Sequence, residues 1–195
     1  MNFDWNRSET IALAKESCAQ CQGVGLRPAS LRKGERPCRC VFRAIFRACY
    51  SRFRQCVRRE KEVSQVRYEM IPGQDHRMMW GRKNEEYIAD FCLVSRRYLD
   101  DFEYKVFRYH FLLRADWKLC CRQLKLDKGI FFHAVYRIQQ KLGRAFRELE
   151  PYPLFPTNEY FAPVLKQATR PPRGNVVAMP VNKKGIVRPP LKKAA

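Results

Sequence analysis

Four cysteines crowd into one short, turn-rich stretch, and they limit what the N-terminal part of this chain can fold into. Cys18-Ala19-Gln20-Cys21 is followed, after sixteen residues, by Cys38-Arg39-Cys40. Gly23, Gly25, Pro28, Gly34 and Pro37 stand between the pairs, and they interrupt any helix or strand. A segment of this kind holds its turns only if something other than a core ties them together. Four thiolates can close a tetrahedral structural zinc site, which makes Cys18, Cys21, Cys38 and Cys40 the candidate metal ligands. The alternative is a loose loop carrying four reduced thiols. A catalytic metal would need an open coordination position and an activating carboxylate, and the nearby acids are Glu16 and Glu35 alone.

The remaining cysteines, Cys49, Cys56, Cys92, Cys120 and Cys121, lie among apolar neighbours, where buried free thiols are expected. Nine cysteines cannot all pair, and the start Met1-Asn2-Phe3-Asp4-Trp5 has neither the basic nor the apolar region of a secretory signal. No apolar run approaches the ~20 residues of a membrane span. These features predict a cytoplasmic protein in a reducing compartment, without a membrane role.

Charge points to the partner. Lys and Arg number 39 against 19 Asp and Glu, a formal +20. Such a chain attracts a polyanion, and with the membrane set aside nucleic acid is the expectation. A hydrophobic fraction of 46% supplies enough apolar material for a core.

The apolar spacing predicts a mainly α-helical fold. A short helix over Ser8 to Lys15, capped by Ser8, leads into the cysteine segment. Phe42, Ile45, Phe46, Cys49, Tyr50, Phe53, Cys56 and Val57 recur at threes and fours, so Val41 to Val63 reads as a helix. Its other face carries Arg43, Arg47, Arg54, Arg58 and Arg59, either a nucleic-acid contact or simply a solvated face. Val66, Tyr68 and Met70 alternate before Pro72-Gly73, and with Met78 and Trp80 they predict a small hairpin over Ser64 to Trp80. A helix from about Asn84 to Tyr98 breaks at Leu99-Asp100-Asp101. Another follows from Phe102 to Leu113, with Phe102, Val106, Phe107, Tyr109 and His110 spaced for burial. The expected units are 1–40, the zinc knuckle; 41–83, the basic helix and hairpin; 84–150, a helical domain; and 151–195, a Pro-rich basic tail, disordered from Thr169.

The sharpest pattern lies between Asp116 and Leu142. Asp116 to Leu124 can form a helix with Trp117, Cys120, Cys121 and Leu124 on one face, and Lys125-Leu126-Asp127 is the turn. Asp127 is placed to cap a second helix, in which Phe131, Ala134, Val135, Ile138 and Leu142 point inward. Cys121 is slim enough for the helix crossing, and Leu126 plugs the turn. The outer face holds Lys128, Gly129, Phe132, His133, Tyr136, Arg137 and Gln140, donors and acceptors suited to a DNA groove. The same two helices also suit a plain structural hairpin.

From Leu99 to Phe146 this pattern resembles the fourth region of bacterial sigma factors and the similar domains of phage late-gene antitermination proteins. The approach helix, with Leu99, Phe102, Glu103, Tyr104, Val106, Phe107 and Tyr109, is similar too, and Lys125 stands where that family usually has Gly. Cys18 to Gly25 resembles half of the Cys-rich repeat of zinc-binding DnaJ-type chaperones. The resemblance implies a phage- or prophage-type transcription regulator that binds double-stranded DNA and contacts RNA polymerase.

Enzyme chemistry finds little to work with. No Ser/His/Asp order or phosphate-binding Gly loop stands out, and His76, His110 and His133 are far apart. Asp100-Asp101-Glu103, the one dense acid group, reads as a structural turn ahead of a helix. No small-molecule substrate is expected. The rival to a DNA-binding regulator is a zinc-stabilised protein-interaction or RNA-binding module.

Overall fold

The computed structural model describes residues 5–27, 36–63, 75–150 and 152–161. Its elements are α1 (Arg7–Leu13), β1 (Leu26–Arg27), β2 (Arg36–Pro37), α2 (Arg39–Val63), α3 (Asp75–Tyr98), α4 (Asp101–Phe107), α5 (Trp117–Leu124) and α6 (Lys128–Glu148). α4 runs on into a π-helical turn, Arg108–Leu112. The fold is mainly α, with one antiparallel pairing of Leu26 with Pro37 and Arg27 with Arg36. Among the described residues no helix is long and apolar enough to cross a membrane.

α2 and α6 form the centre of the core, covered by α3 and α4. Phe46, Phe91, Phe107 and Phe146 are sealed from solvent. Phe91 stacks on Phe53 at 4.5 Å and meets Phe146 at 5.0 Å, while Phe46 meets Phe111 edge-on at 5.0 Å. Truncating any one of these rings would cost about 3–5 kcal/mol. Gly143 sets how closely α2 and α6 cross, because a Cβ there would run into the Phe42 carbonyl. Expected units 41–83 and 84–150 therefore share one core.

Local chemistry moves several boundaries. Asn6, not Ser8, caps α1: its side chain accepts the Ser8 backbone N–H at 3.1 Å, and Ser8 already lies inside the helix. α3 begins at Asp75, so Met78 and Trp80 are helical rather than part of a hairpin. Once a helix is nucleated, each added residue gains a hydrogen bond, which outweighs the weak strand signal of Met78 and Trp80. The Val66 to Gly73 part of that hairpin lies outside the described residues. Asp100 and Glu103 form a capping box, Asp100 Oδ1 accepting the Glu103 N–H at 2.7 Å. That turn buries Glu103, Val106 and Phe107 and leaves Phe102 38% exposed, against the expected burial.

The chain also stays with the core past the expected boundary at 151. Leu154, Tyr160 and Phe161 are buried, and the Tyr160 hydroxyl donates to Asp90 Oδ2 at 2.9 Å. The Arg52 guanidinium lies 4.0 Å from the centre of the Phe161 ring. Residues 152–161 are thus a strap across α2 and α3 rather than a tail; Thr169 onward lies outside the described residues. At the other end, Arg147 grips Glu9 with two hydrogen bonds, at 3.1 and 3.3 Å, fastening α1 to the end of α6.

α5 opens on Asp116, whose carboxylate accepts the Trp117 N–H at 2.8 Å. It closes on Lys125 in the left-handed region (φ 52°, ψ 50°), with the Leu126 N–H bonded to the Cys121 carbonyl at 2.9 Å. Lys125 takes a conformation that glycine adopts more readily, a cost offset by the packing on either side. Cys120 is buried in α5, with Cys121 half-buried beside it. Cys49 and Cys56 are buried free thiols as expected, and Cys92 is half-buried.

Candidate metal centre and nucleic-acid interface

The cysteine segment is held by its own backbone. The Cys18 N–H bonds to the Lys15 carbonyl, Gln22 N–H to Cys18, and Val24 N–H to Cys21. Gln22, Gly23 and Gly25 all have positive φ, which turns the chain back on itself. Gly25 is forced twice over: its φ is +78°, and a Cβ would strike the Thr10 carbonyl. Its own carbonyl then accepts the Cys38 N–H at 2.7 Å, bringing the second pair against the first. Cys40 sits in the first turn of α2, and Cys38 and Cys21 are buried beside Val41 and Ile45, so this unit rests on the main core.

The four Sγ atoms lie within 4.8 Å of one another, with Cys21 to Cys40 at 3.4 Å and Cys18 to Cys38 at 3.8 Å. A tetrahedron with metal–sulfur bonds of ~2.3 Å has edges of about 3.8 Å, so these cysteines could hold a metal ion. Their protonation fits the same reading. The Gln20 backbone N–H draws the Cys18 thiol down to about 6. Burial pushes Cys21 up and Cys40 up to about 12. Thiols that desolvation holds protonated, buried Cys21 and half-buried Cys40, are stabilised as thiolates by a cation beside them. Four sulfur donors complete a coordination shell and leave no open position; Glu16 is exposed, and Glu35 lies outside the described residues. Such a centre could hold structure together but offers no position for chemistry.

α6 buries Phe131, Ala134, Val135, Ile138 and Leu142, as the spacing requires. Its Asp127 cap is extended (φ −73°, ψ 152°), yet the carboxylate accepts no backbone hydrogen bond, contrary to expectation. The carboxylate is solvent-exposed, and the first N–H groups of α6, at exposed Lys128, Gly129 and Ile130, are left open. Gly129, His133, Tyr136, Gln140 and Arg144 follow at threes and fours along the outer face, Gln140 half-buried and the rest exposed. Nothing stands within 4 Å of where a Gly129 Cβ would be.

The other expected contacts are differently placed. Phe132 is half-buried between Phe131 (5.3 Å) and Trp117 (6.2 Å), on the side of α6 that meets α5. The Lys128 ammonium stands 5.3 Å over the Trp117 ring. Arg137 is exposed, but its Nε lies 3.2 Å from Oε1 of Glu103, a carboxylate with no exposure at all. The other oxygen of Glu103 accepts from Lys141 Nζ at 2.6 Å. Arg43, one of the basic residues expected on the outer face of α2, belongs to this surface, and what the sequence did not show is its place beside α6. It lies 4.3 Å over the Tyr136 ring and donates to Gln139 Oε1 at 3.0 Å. Only the crossing of α2 with α6 brings it there, and no local pattern announces it.

Comparison with protein-family models, with curated proteins and with solved structures finds no match.

Proposed function

We propose that this protein is a DNA-binding transcription regulator of phage or prophage type, antiterminator-like or sigma-like, working in the cytoplasm. The observation that carries the reading is the pairing of α5 and α6 across a left-handed turn at Lys125, with the outer stripe of α6 open to solvent. A helix presented this way enters a major groove with its N-terminal residues toward the bases. Gly129 gives close approach, while His133, Gln140 and Arg137 offer groups that read base edges. The open N–H groups at the start of α6 suit a phosphate. The four cysteines hold a structural zinc, which fixes the start of α2. RNA polymerase is the second partner, a reading that rests on the sigma-like pattern from Leu99 to Phe146.

The test is selection of bound duplexes from a random pool by the metal-loaded full-length protein. A recovered sequence motif supports the regulator. Equal retention of every duplex, and of single-stranded RNA, supports an interaction or RNA-binding module instead.

A further inference from the structure

We infer that the arginine row of α2, running from Arg39 through Arg43, Arg47 and Arg54 to Arg58, is a second contact surface for duplex DNA that grips the phosphate backbone beside the groove α6 occupies. The inference rests on the reading of α6 as the groove helix and adds a separate surface to it.

Three observations carry it. First, the row is continuous with the outer face of α6. The Arg43 guanidinium covers Tyr136 at 4.3 Å and its Nε bonds to Gln139, so the two helices present one surface rather than two. Second, neither helix contributes an acid to that surface. Between Arg39 and Arg59 α2 carries seven arginines and no carboxylate, and α6 has none before Glu148. Among the described residues, no ion pair engages Arg39, Arg47, Arg54 or Arg58. Third, the spacing works against the helix itself. Arg39, Arg43 and Arg47 are four apart, as are Arg54 and Arg58, and like charges at that spacing repel. A face that merely keeps a helix soluble alternates its signs, and this one does not.

Contrast within α2 sharpens the point. Arg52 turns the other way, onto the Phe161 ring of the strap, and serves the core. Among the described residues, the guanidinium groups of the row lie over no ring but that of Tyr136 on α6. From Arg39 to Arg58 the helix rises about 28 Å, a length that spans several phosphates along a strand. Arginine suits the task, because its planar fork bonds two phosphate oxygens at once. Contacts of this kind add affinity without base preference.

The experiment measures binding of the full chain to a mixed-sequence DNA duplex of about 30 base pairs, across a salt series, with single-stranded RNA of equal length in parallel. The triple variant Arg47→Gln, Arg54→Gln, Arg58→Gln should lower the slope of log affinity against log salt by about 2 to 3. The matching Lys triple should keep most of it. Sequence preference should not change, and melting should hold or rise as repulsion is relieved. Should the Gln triple fold poorly, Arg58→Gln alone should lower the slope by about 1. An unchanged slope and affinity overturns the proposal, and so does tighter binding of the RNA than of the duplex. If His133→Ala with Gln140→Ala leaves sequence preference intact while the α2 variants still lower the slope, the groove reading of α6 fails and the phosphate track stands.

Discussion

The Glu103 carboxylate lies 3.2 Å from the Arg137 Nε, the acid sealed in the core and the arginine more than half exposed on α6. Oε1 of Glu103 makes no hydrogen bond, so this contact is a Coulombic one, off the line of N–H donation. Glu103 belongs to the capping box that starts α4, so one acid both opens that helix and fastens it to α6. The exposed part of Arg137 is thereby aimed from a fixed root.

Glu103→Ala should destabilise the fold by about 2 kcal/mol, through loss of the box and of a buried partner for two cations. The cost stays below that of orphaning a buried charge, because Arg137 and Lys141 can turn to water. Urea unfolding measures it. An unchanged midpoint would mean that the pair does not hold α4 against α6.

Acid should act on the same junction through Asp100. The Glu103 N–H and the nearby Lys141 hold its carboxyl below the usual value. The folded state therefore binds this proton less readily than the unfolded chain. The stability that results is present above about pH 4 and is lost as pH falls through the lowered folded value. Melting temperatures of the parent and of Asp100→Asn should differ near neutrality and converge in acid. A constant gap down to low pH would show that this carboxylate contributes nothing through its charge.

Purified protein should carry one metal ion per chain, bound by Cys18, Cys21, Cys38 and Cys40. Cys18→Ser or Cys40→Ser should lower both metal content and melting temperature, since binding free energy in such sites is folding free energy. Elemental analysis alongside thermal melts decides it. Metal-free protein from a reducing preparation that melts like the parent would refute the centre.

Periodicity made α2, α5 and α6 legible, because each keeps a long apolar stripe at threes and fours that only one face can bury. The cysteine pairs were legible by spacing alone, and the structure brings all four sulfurs together. What stayed hidden depends on distant contacts. Gly143 reads as a weak spot in a helix until Phe42 is seen to cross it, and Arg43 reads as one more solvated charge until Tyr136 lies under it. Residues 152–161 look like tail because their Pro spacing is loop-like, yet Tyr160 reaches Asp90 across 70 positions of sequence. The caps were misjudged for a local reason: Asn6 competes with Ser8, and Asp127 turns its carboxylate to water.

The most direct test of the central claim compares the parent with His133→Ala, Gln140→Ala in duplex selection and in thermal melting. Neither side chain is buried in the core, so melting should be unchanged, whereas Ile138→Ala should cost roughly 2–5 kcal/mol through a cavity. The account predicts that the double variant relaxes preference at one or two base pairs and weakens binding to the parent's motif by about 1–3 kcal/mol. If it recovers the same motif with the same affinity, α6 is not the helix that reads DNA.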